Sequence, residues 1–120
     1  MKPLFIEYSK CGTCRKALKW LSANGIDVEV RDIITNNPTE NELKLWIPKS
    51  MNPVNKFFNT SGLKYKELGL KDVVKTADQE ELIQLLASDG KLVKRPVLIY
   101  GDTVLVGFKE EDWAKALLNK

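Results

Sequence analysis

The alternation of apolar and polar positions divides the first third of the chain into strand, helix and strand. The apolar run Leu4-Phe5-Ile6 predicts a buried strand over residues 3–8. Apolar residues then recur at helical spacing, which predicts a helix over about 12–24 that Asn24-Gly25 ends. Alternating valines predict a second strand near 27–31, so a β-α-β unit is expected here.

The middle of the chain is predicted to be helical. Thr39 followed by Glu42 is a capping-box pattern, and it starts a helix that Pro48 is expected to end. Asn52-Pro53 has the cap-then-proline order of another helix start, and one more short helix follows. We place these helices in an insertion at about residues 36–76.

The last third returns to a mixed pattern. Asp78 is expected to cap a helix, and Trp113 lies on the apolar side of a C-terminal helix. Between them, the predicted strands 97–100 and 103–106 flank Gly101-Asp102, a two-residue hairpin signal. The complete order predicts an α/β fold with a thioredoxin/glutaredoxin-like βαβ–αββα core and a helical insertion.

Composition and charge narrow the function classes. The chain has 120 residues, 43% of them hydrophobic, which suits one domain over residues 1–120. Its net charge of +3 is too weak to indicate direct binding of nucleic acid. No apolar run approaches the ~20 residues of a membrane helix, and the first residues lack the apolar region of a signal peptide. We therefore expect a cytoplasmic protein without a membrane partner.

Histidine is absent from the chain, and cysteine occurs twice. The absence of histidine excludes Ser-His-Asp and Cys-His catalysis. Two cysteines supply half of a tetrahedral zinc site, and only carboxylates could complete it, so we expect no metal centre. Structural disulfides are rare in the cytosol, so the two thiols themselves are the candidate chemistry.

Cys11 and Cys14 form a C-x-x-C motif between the first predicted strand and helix. This spacing brings two Cα atoms within the roughly 4.4–6.8 Å that a disulfide requires. Free N–H groups at a helix N-terminus stabilise a thiolate, and Lys10, Arg15 and Lys16 add positive charge. We predict an exposed, attacking Cys11 and a protected, resolving Cys14. The alternative is a pair of reduced core cysteines, which the small and charged neighbours of Cys11 disfavour.

Arg95-Pro96 immediately precedes the predicted strand 97–100. In a thioredoxin-type fold a cis proline at this point packs beside the reactive cysteine. Arg95 would then place its guanidinium close to a thiolate or a bound anion. The alternative is an edge-strand proline after an ordinary surface arginine, and only the predicted topology favours the functional interpretation.

Three motifs of the chain resemble the glutaredoxin-like arsenate reductase (ArsC) family, which includes the transcriptional regulator Spx. They are Lys10-Cys11-Gly12-Thr13-Cys14-Arg15-Lys16, Tyr65-Lys66-Glu67-Leu68-Gly69-Leu70 and Lys94-Arg95-Pro96. The resemblance covers nearly the whole chain and implies a thioredoxin-like core with a helical insertion. It implies that Cys11 is catalytic and that the site includes Gly12, Thr13, Arg15 and Pro96.

The chain also departs from arsenate reductases proper, in which three arginines surround the oxyanion. Only Arg95 is retained, because Asn59 and Gly107 stand at or near the other two expected positions. A charge-assisted hydrogen bond contributes roughly 1.5–3 kcal/mol, so weak arsenate binding is expected, with Asn59 kept as a candidate site residue. Cys14 stands where those enzymes tend to have serine, and it supplies an internal resolving thiol.

The expected function is thiol–disulfide oxidoreduction by the Cys11/Cys14 pair, on a small-molecule or protein substrate. No bound cofactor is expected, and the resemblance implies an external reductant such as glutathione, thioredoxin or glutaredoxin. The alternative is a redox-sensing regulator like Spx that binds RNA polymerase. The segment Pro48–Asn55 lies where Spx-like proteins present part of that surface, and it shows no clear match.

Overall fold

The structure is a computed structural model that describes residues 2–118. Its four strands form one mixed sheet in the order β2-β1-β3-β4. The strands are β1 (Leu4–Glu7), β2 (Glu29–Asp32), β3 (Val97–Tyr100) and β4 (Thr103–Val106). β2 runs parallel to β1, whereas β3 is antiparallel to both β1 and β4. A mixed sheet flanked by helices confirms the predicted fold class.

Most of the helices lie between β2 and β3. The helices are α1 (Gly12–Ala23), α2 (Glu40–Ser50), α3 (Leu63–Glu67), α4 (Leu70–Thr76), α5 (Gln79–Ser88) and α6 (Glu110–Leu117). Two 3₁₀ turns occupy Val54–Phe57 and Gly90–Leu92. Within residues 2–118, no helix is both long enough and apolar enough to cross a membrane.

Strand β1 is buried on both faces because its side chains alternate between two hydrophobic clusters. Phe5 packs with Ala17, Leu21 and Trp113, which come from α1 and α6. Ile6 points to the opposite face and joins the larger cluster formed with the inserted helices. This burial explains why the sequence shows a continuous apolar run here instead of an alternating one.

Three local expectations need correction. Pro48 lies inside α2, which continues to Ser50 and ends where Met51 adopts a left-handed conformation with φ of 62°. A proline removes one N–H donor, but two further residues still close the turn, and the Met51 N–H donates to the Pro48 carbonyl at 3.2 Å. The helix expected after Asn52-Pro53 is a single 3₁₀ turn. Strand β2 begins later than predicted, and as an edge strand it leaves Val30 51% exposed.

Long-range hydrogen bonds bring the ends of several elements to one edge of the sheet. Phe58 forms a β-bridge with Val93, and the Lys94 N–H donates to the Phe57 carbonyl at 2.7 Å. These contacts attach the insertion to the segment that precedes β3. The Gly107 N–H donates to the Pro96 carbonyl at 2.8 Å and adds the end of β4 to the same edge.

Candidate active site

Cys11 is the N-cap residue of α1, and its sulfur faces the free end of the helix. The Cys14 backbone N–H donates to Cys11 Sγ at 3.4 Å, while the Cys11 N–H donates to the Tyr8 carbonyl at 2.9 Å. Both cysteines are free thiols. Cys11 is half-buried, whereas Cys14 lies in the first turn of the helix and is fully buried. The structure therefore places the two thiols in different environments.

The surroundings shift the two cysteine pKa values in opposite directions. Partial burial would raise the pKa of Cys11, but the Cys14 N–H and thiol and the Arg95 guanidinium together lower it below its usual value. Burial raises the pKa of Cys14 to about 12, and the neighbouring Cys11 and Glu7 charges add to that rise. Of the two thiols, Cys11 is therefore the one that ionises at the lower pH.

Arg95 lies beside the Cys11 thiol, and Pro96 follows it in the chain. The peptide bond between them is cis, and Pro96 is buried. The half-buried Arg95 places its Cζ atom 4.9 Å from the centre of the Tyr8 ring, a cation–π contact. Tyr8 thus supports the guanidinium that lowers the pKa of Cys11.

A cleft of about 410 Å³ opens beside the Cys11 sulfur, and we call it the Cys11 cleft. Its walls come from the start of α1, the segment before β3, the end of β4 and the loop after Phe58. The lining residues are Cys11, Thr13, Asn59, Ser61, Gly62, Lys94, Arg95, Val106, Gly107, Phe108 and Lys109. Three of these side chains are cationic and none is acidic, so the cleft presents positive charge to a ligand.

A neighbouring cleft of about 380 Å³ shares Asn59, Gly62 and Arg95 with the first. It differs in charge, because Lys64 and Lys91 face it together with Glu67. The Lys64 ammonium also lies 3.9 Å from the Asp89 carboxylate, which offsets part of its charge. The neighbouring cleft is therefore less cationic than the Cys11 cleft.

The structure brings together most of the predicted site residues. Cys11, Thr13, Asn59 and Arg95 line the Cys11 cleft, whereas Cys14 and Pro96 are buried and do not line it. Arg15 does not line the Cys11 cleft, so the structure does not bring it together with the other predicted site residues. It follows Cys14 on the exposed side of α1, where it borders a shallow depression together with Lys19.

Gly12 is exposed at the first position of α1 and does not line the Cys11 cleft either. An added Cβ at Gly12 would contact nothing within 4 Å. Gly12 therefore occupies the first position of α1 with open space around it.

Sequence reasoning missed Lys94 and Lys109, which line the cleft, and Tyr8, which contacts Arg95. Lys94 belongs to the Lys94-Arg95-Pro96 motif, but nothing local marks its side chain as facing the cysteine. Lys109 precedes a run of acids that is typical of a solvated helix start. Tyr8 carries no sequence signal for its contact with Arg95. Within the described part of the chain, no three His, Cys, Asp or Glu side chains gather as a metal site.

Comparison with known proteins places this chain in a family. The profile of the ArsC family matches residues 6–116. The chain belongs to the ArsC family. It is 56% identical to an ArsC family related protein from Bacteroides fragilis, whose crystal structure superposes with a TM-score of 0.94 over 96% of this chain and 97% of that one. The predicted resemblance is thereby confirmed.

Curated relatives of this ArsC family member fall into two groups. Uncharacterized protein YusI of Bacillus subtilis is 48% identical over 118 residues, which are 95% of this chain and 100% of YusI. Global transcriptional regulator Spx 2 of Bacillus anthracis is 25% identical over 109 residues, 91% of this chain and 82% of the regulator. The relatives of this chain therefore include both an uncharacterized protein and a transcriptional regulator.

Proposed function

We propose that the protein is a cytoplasmic thiol–disulfide oxidoreductase in which Cys11 attacks and Cys14 resolves. The observation that carries this proposal is the hydrogen bond from the Cys14 N–H to Cys11 Sγ at the start of α1. Together with Arg95, it favours the thiolate of Cys11, the form that attacks a disulfide. The raised pKa of the buried Cys14 thiol keeps it protonated while Cys11 attacks the substrate.

The reaction has two exchanges. The Cys11 thiolate attacks one sulfur of a substrate disulfide, the other sulfur leaves as a thiolate, and a mixed disulfide forms. Cys14 then loses its proton, attacks Cys11 Sγ and releases the second substrate thiol. The substrate gains two electrons, and the protein is left with a Cys11–Cys14 disulfide.

A second thiol system has to reduce that disulfide before another cycle. A dithiol protein such as thioredoxin or glutaredoxin would supply the two electrons in one encounter, whereas glutathione would require two molecules. The Cys11 cleft is open to solvent, so such a reductant can reach the outer sulfur. No resident cofactor takes part in this scheme.

The test is capture of mixed disulfides in cell extract. Cys14→Ser keeps the attacking thiol but removes the resolving one, so it should accumulate covalent adducts that dithiothreitol releases. The double variant Cys11→Ser, Cys14→Ser is the matched control and should capture nothing. Equal recovery from both variants would contradict the proposal. Mass spectrometry of the released species identifies the substrates and the reductant.

A redox-switched regulator is the second candidate, and the likeness to Spx 2 over 91% of the chain favours it. In that case the Cys11–Cys14 disulfide would alter a surface that contacts RNA polymerase, and no substrate would be turned over. Pull-down of RNA polymerase by the oxidised but not the reduced protein, without turnover of any disulfide, would support the regulator over the enzyme.

A further inference from the structure

The cations of the Cys11 cleft have no carboxylate partners of their own. Among residues 2–118, neither Lys94, Arg95 nor Lys109 forms an ion pair. The acidic residues that follow Lys109 belong to the first turn of α6 and do not line the cleft. Three cationic side chains that line one cleft together with the Cys11 thiol, without ion-pair partners among the described residues, favour an anionic group in the bound ligand.

The position of Lys94 depends on the absence of a side chain at Gly107. A Cβ built at Gly107 would lie 2.9 Å from Lys94 Cε and 3.6 Å from Lys94 Nζ. The end of the lysine side chain therefore lies against the bare backbone of the β4 end. Gly107 also has φ of 72°, a conformation that other residues adopt with strain. The local structure thus places an ammonium group in the cleft wall.

The kinds of cation present indicate which anion fits. A lysine is a compact point charge, whereas an arginine offers a planar fork of donors. The single arginine fork matches the two oxygens of one carboxylate, and the two lysines add point charges around it; a tetrahedral oxyanion held by several arginine forks would find only one of them here.

We propose that the Cys11 cleft selects disulfides that carry a carboxylate close to the reacting sulfur, and that Lys94 recognises this carboxylate. The inference rests on the proposed function, because it concerns the substrate of Cys11. The Cys11 thiolate attacks the sulfur that bears the carboxylate substituent, and the other half of the disulfide leaves as a thiolate. Lys94 makes and breaks no bond. The carboxylate could belong to a small thiol or to an acidic residue beside a protein cysteine.

Three small disulfides of similar size test the selection. They are dithiodipropionate, which is dianionic, bis(2-hydroxyethyl) disulfide, which is neutral, and cystamine, which is dicationic. A free thiolate such as that of mercaptoethanol reacts more slowly with the anionic disulfide, because like charges repel. The protein should reverse this order, with an anionic-to-neutral ratio of rate constants about tenfold above that of mercaptoethanol. Raising the salt concentration should reduce the ratio.

Two variants test the role of Lys94. Lys94→Met keeps the length of the side chain and should lower the anionic-to-neutral ratio by about three- to tenfold. Gly107→Ala changes no charge but displaces the lysine, so it should lower the ratio as well. Lys91→Met is the matched control, since Lys91 faces only the neighbouring cleft, and its ratio should equal that of the wild type. Using ratios removes any change in the pKa of Cys11.

The outcomes separate this inference from the proposed function. One outcome is that the protein reduces the neutral disulfide yet shows the same order of rate constants as mercaptoethanol. That result would overturn the proposed selection and leave the proposed oxidoreductase function standing. If the anionic-to-neutral ratio falls equally in Lys91→Met and Lys94→Met, the assignment of carboxylate recognition to Lys94 is wrong. No reaction with any disulfide would overturn both proposals. Glutathione disulfide and a disulfide-linked peptide with Asp beside its cysteine, each compared with an uncharged analogue, then distinguish a small thiol from a protein substrate.

Discussion

The guanidinium carbon of Arg95 lies 4.9 Å from the centre of the Tyr8 ring, and the carbonyl of Tyr8 accepts a hydrogen bond from the Cys11 N–H. One residue therefore contacts both the arginine and the backbone of the attacking cysteine. The contact joins the end of β1 to the segment before β3, although the two are about ninety residues apart in the chain. It places a positive charge beside the thiol that ionises first.

Removing that charge should make Cys11 less reactive. Arg95→Ala should raise the pKa of Cys11 and slow its alkylation by iodoacetamide several-fold near neutral pH, because less thiolate is present. The pH profile of the alkylation rate measures both effects. Arg15→Ala removes a charge of the same sign outside the cleft and should leave the profile in place. Identical profiles for wild type and Arg95→Ala would refute this role.

The two cysteines should differ in their response to pH. The lowered pKa of Cys11 predicts alkylation below the usual thiol range, while the pKa of about 12 at Cys14 predicts that its alkylation begins only in strong alkali. Mild oxidation should remove both thiols and yield monomers with an internal disulfide. Thiol counting and mass spectrometry at several pH values measure the alkylation of each cysteine and identify the product of oxidation. Equal alkylation rates, or oxidation to dimers alone, would count against the proposed reaction.

Arsenate should be a poor substrate. Asn59 and Gly107 line the cleft near the positions expected for two anion-binding arginines, and the lysines that remain offer point charges instead of forks. Steady-state assays with arsenate and either glutathione plus glutaredoxin or thioredoxin should show little turnover. A known arsenate reductase serves as the positive control. Efficient turnover at low arsenate would mean that Lys94 and Lys109 replace the arginines.

Gly90 should not tolerate a side chain. A Cβ there would meet the Ile33 carbonyl oxygen at an impossible distance, so Gly90→Ala must displace backbone and should lower the free energy of unfolding by more than ~2 kcal/mol. Gly12→Ala is the control, since its Cβ meets nothing within 4 Å and the substitution should stabilise the helix by about 0.5–1 kcal/mol. Urea unfolding measures both, and equal midpoints would contradict the packing at Gly90.

Glu42 should contribute stability that depends on pH. Arg31 donates to both of its carboxylate oxygens, at 2.7 and 2.8 Å, and this pairing lowers the pKa of Glu42. Because the pKa of Glu42 is lower in the folded protein than in the unfolded chain, its ionised carboxylate stabilises the fold above the unfolded pKa of about 4.3. This stabilisation is lost as the pH falls through the folded pKa.

Glu42→Gln should therefore cost about 0.5–1 kcal/mol at neutral pH, since the pair is partly exposed, and progressively less in acid. Glu29→Gln, at an exposed position without an ion pair among the described residues, is the control. Chemical unfolding as a function of pH measures the difference. A cost that is constant with pH would show that the ion pair is not its source.

Local patterns in the sequence were enough to predict most of the chain's helices and strands and the position of Cys11 at the start of a helix. Helical spacing and capping residues depend on neighbours within one or two turns, so Thr39 and Glu42 could be identified as a capping box, which the structure confirms. The position of Cys11 before an amphipathic helix is equally local, and it is the N-cap of α1.

Contacts between distant segments settled the rest of the site. Arg15 was predicted at the site from the motif and from its positive charge, yet its side chain is exposed and borders a different depression. Lys94 and Lys109 were not recognised, because they reach the cleft only after β3 pairs with β1 and the end of β4 bonds to Pro96. Residues this far apart meet through sheet register and packing of the insertion, which no short window of sequence encodes.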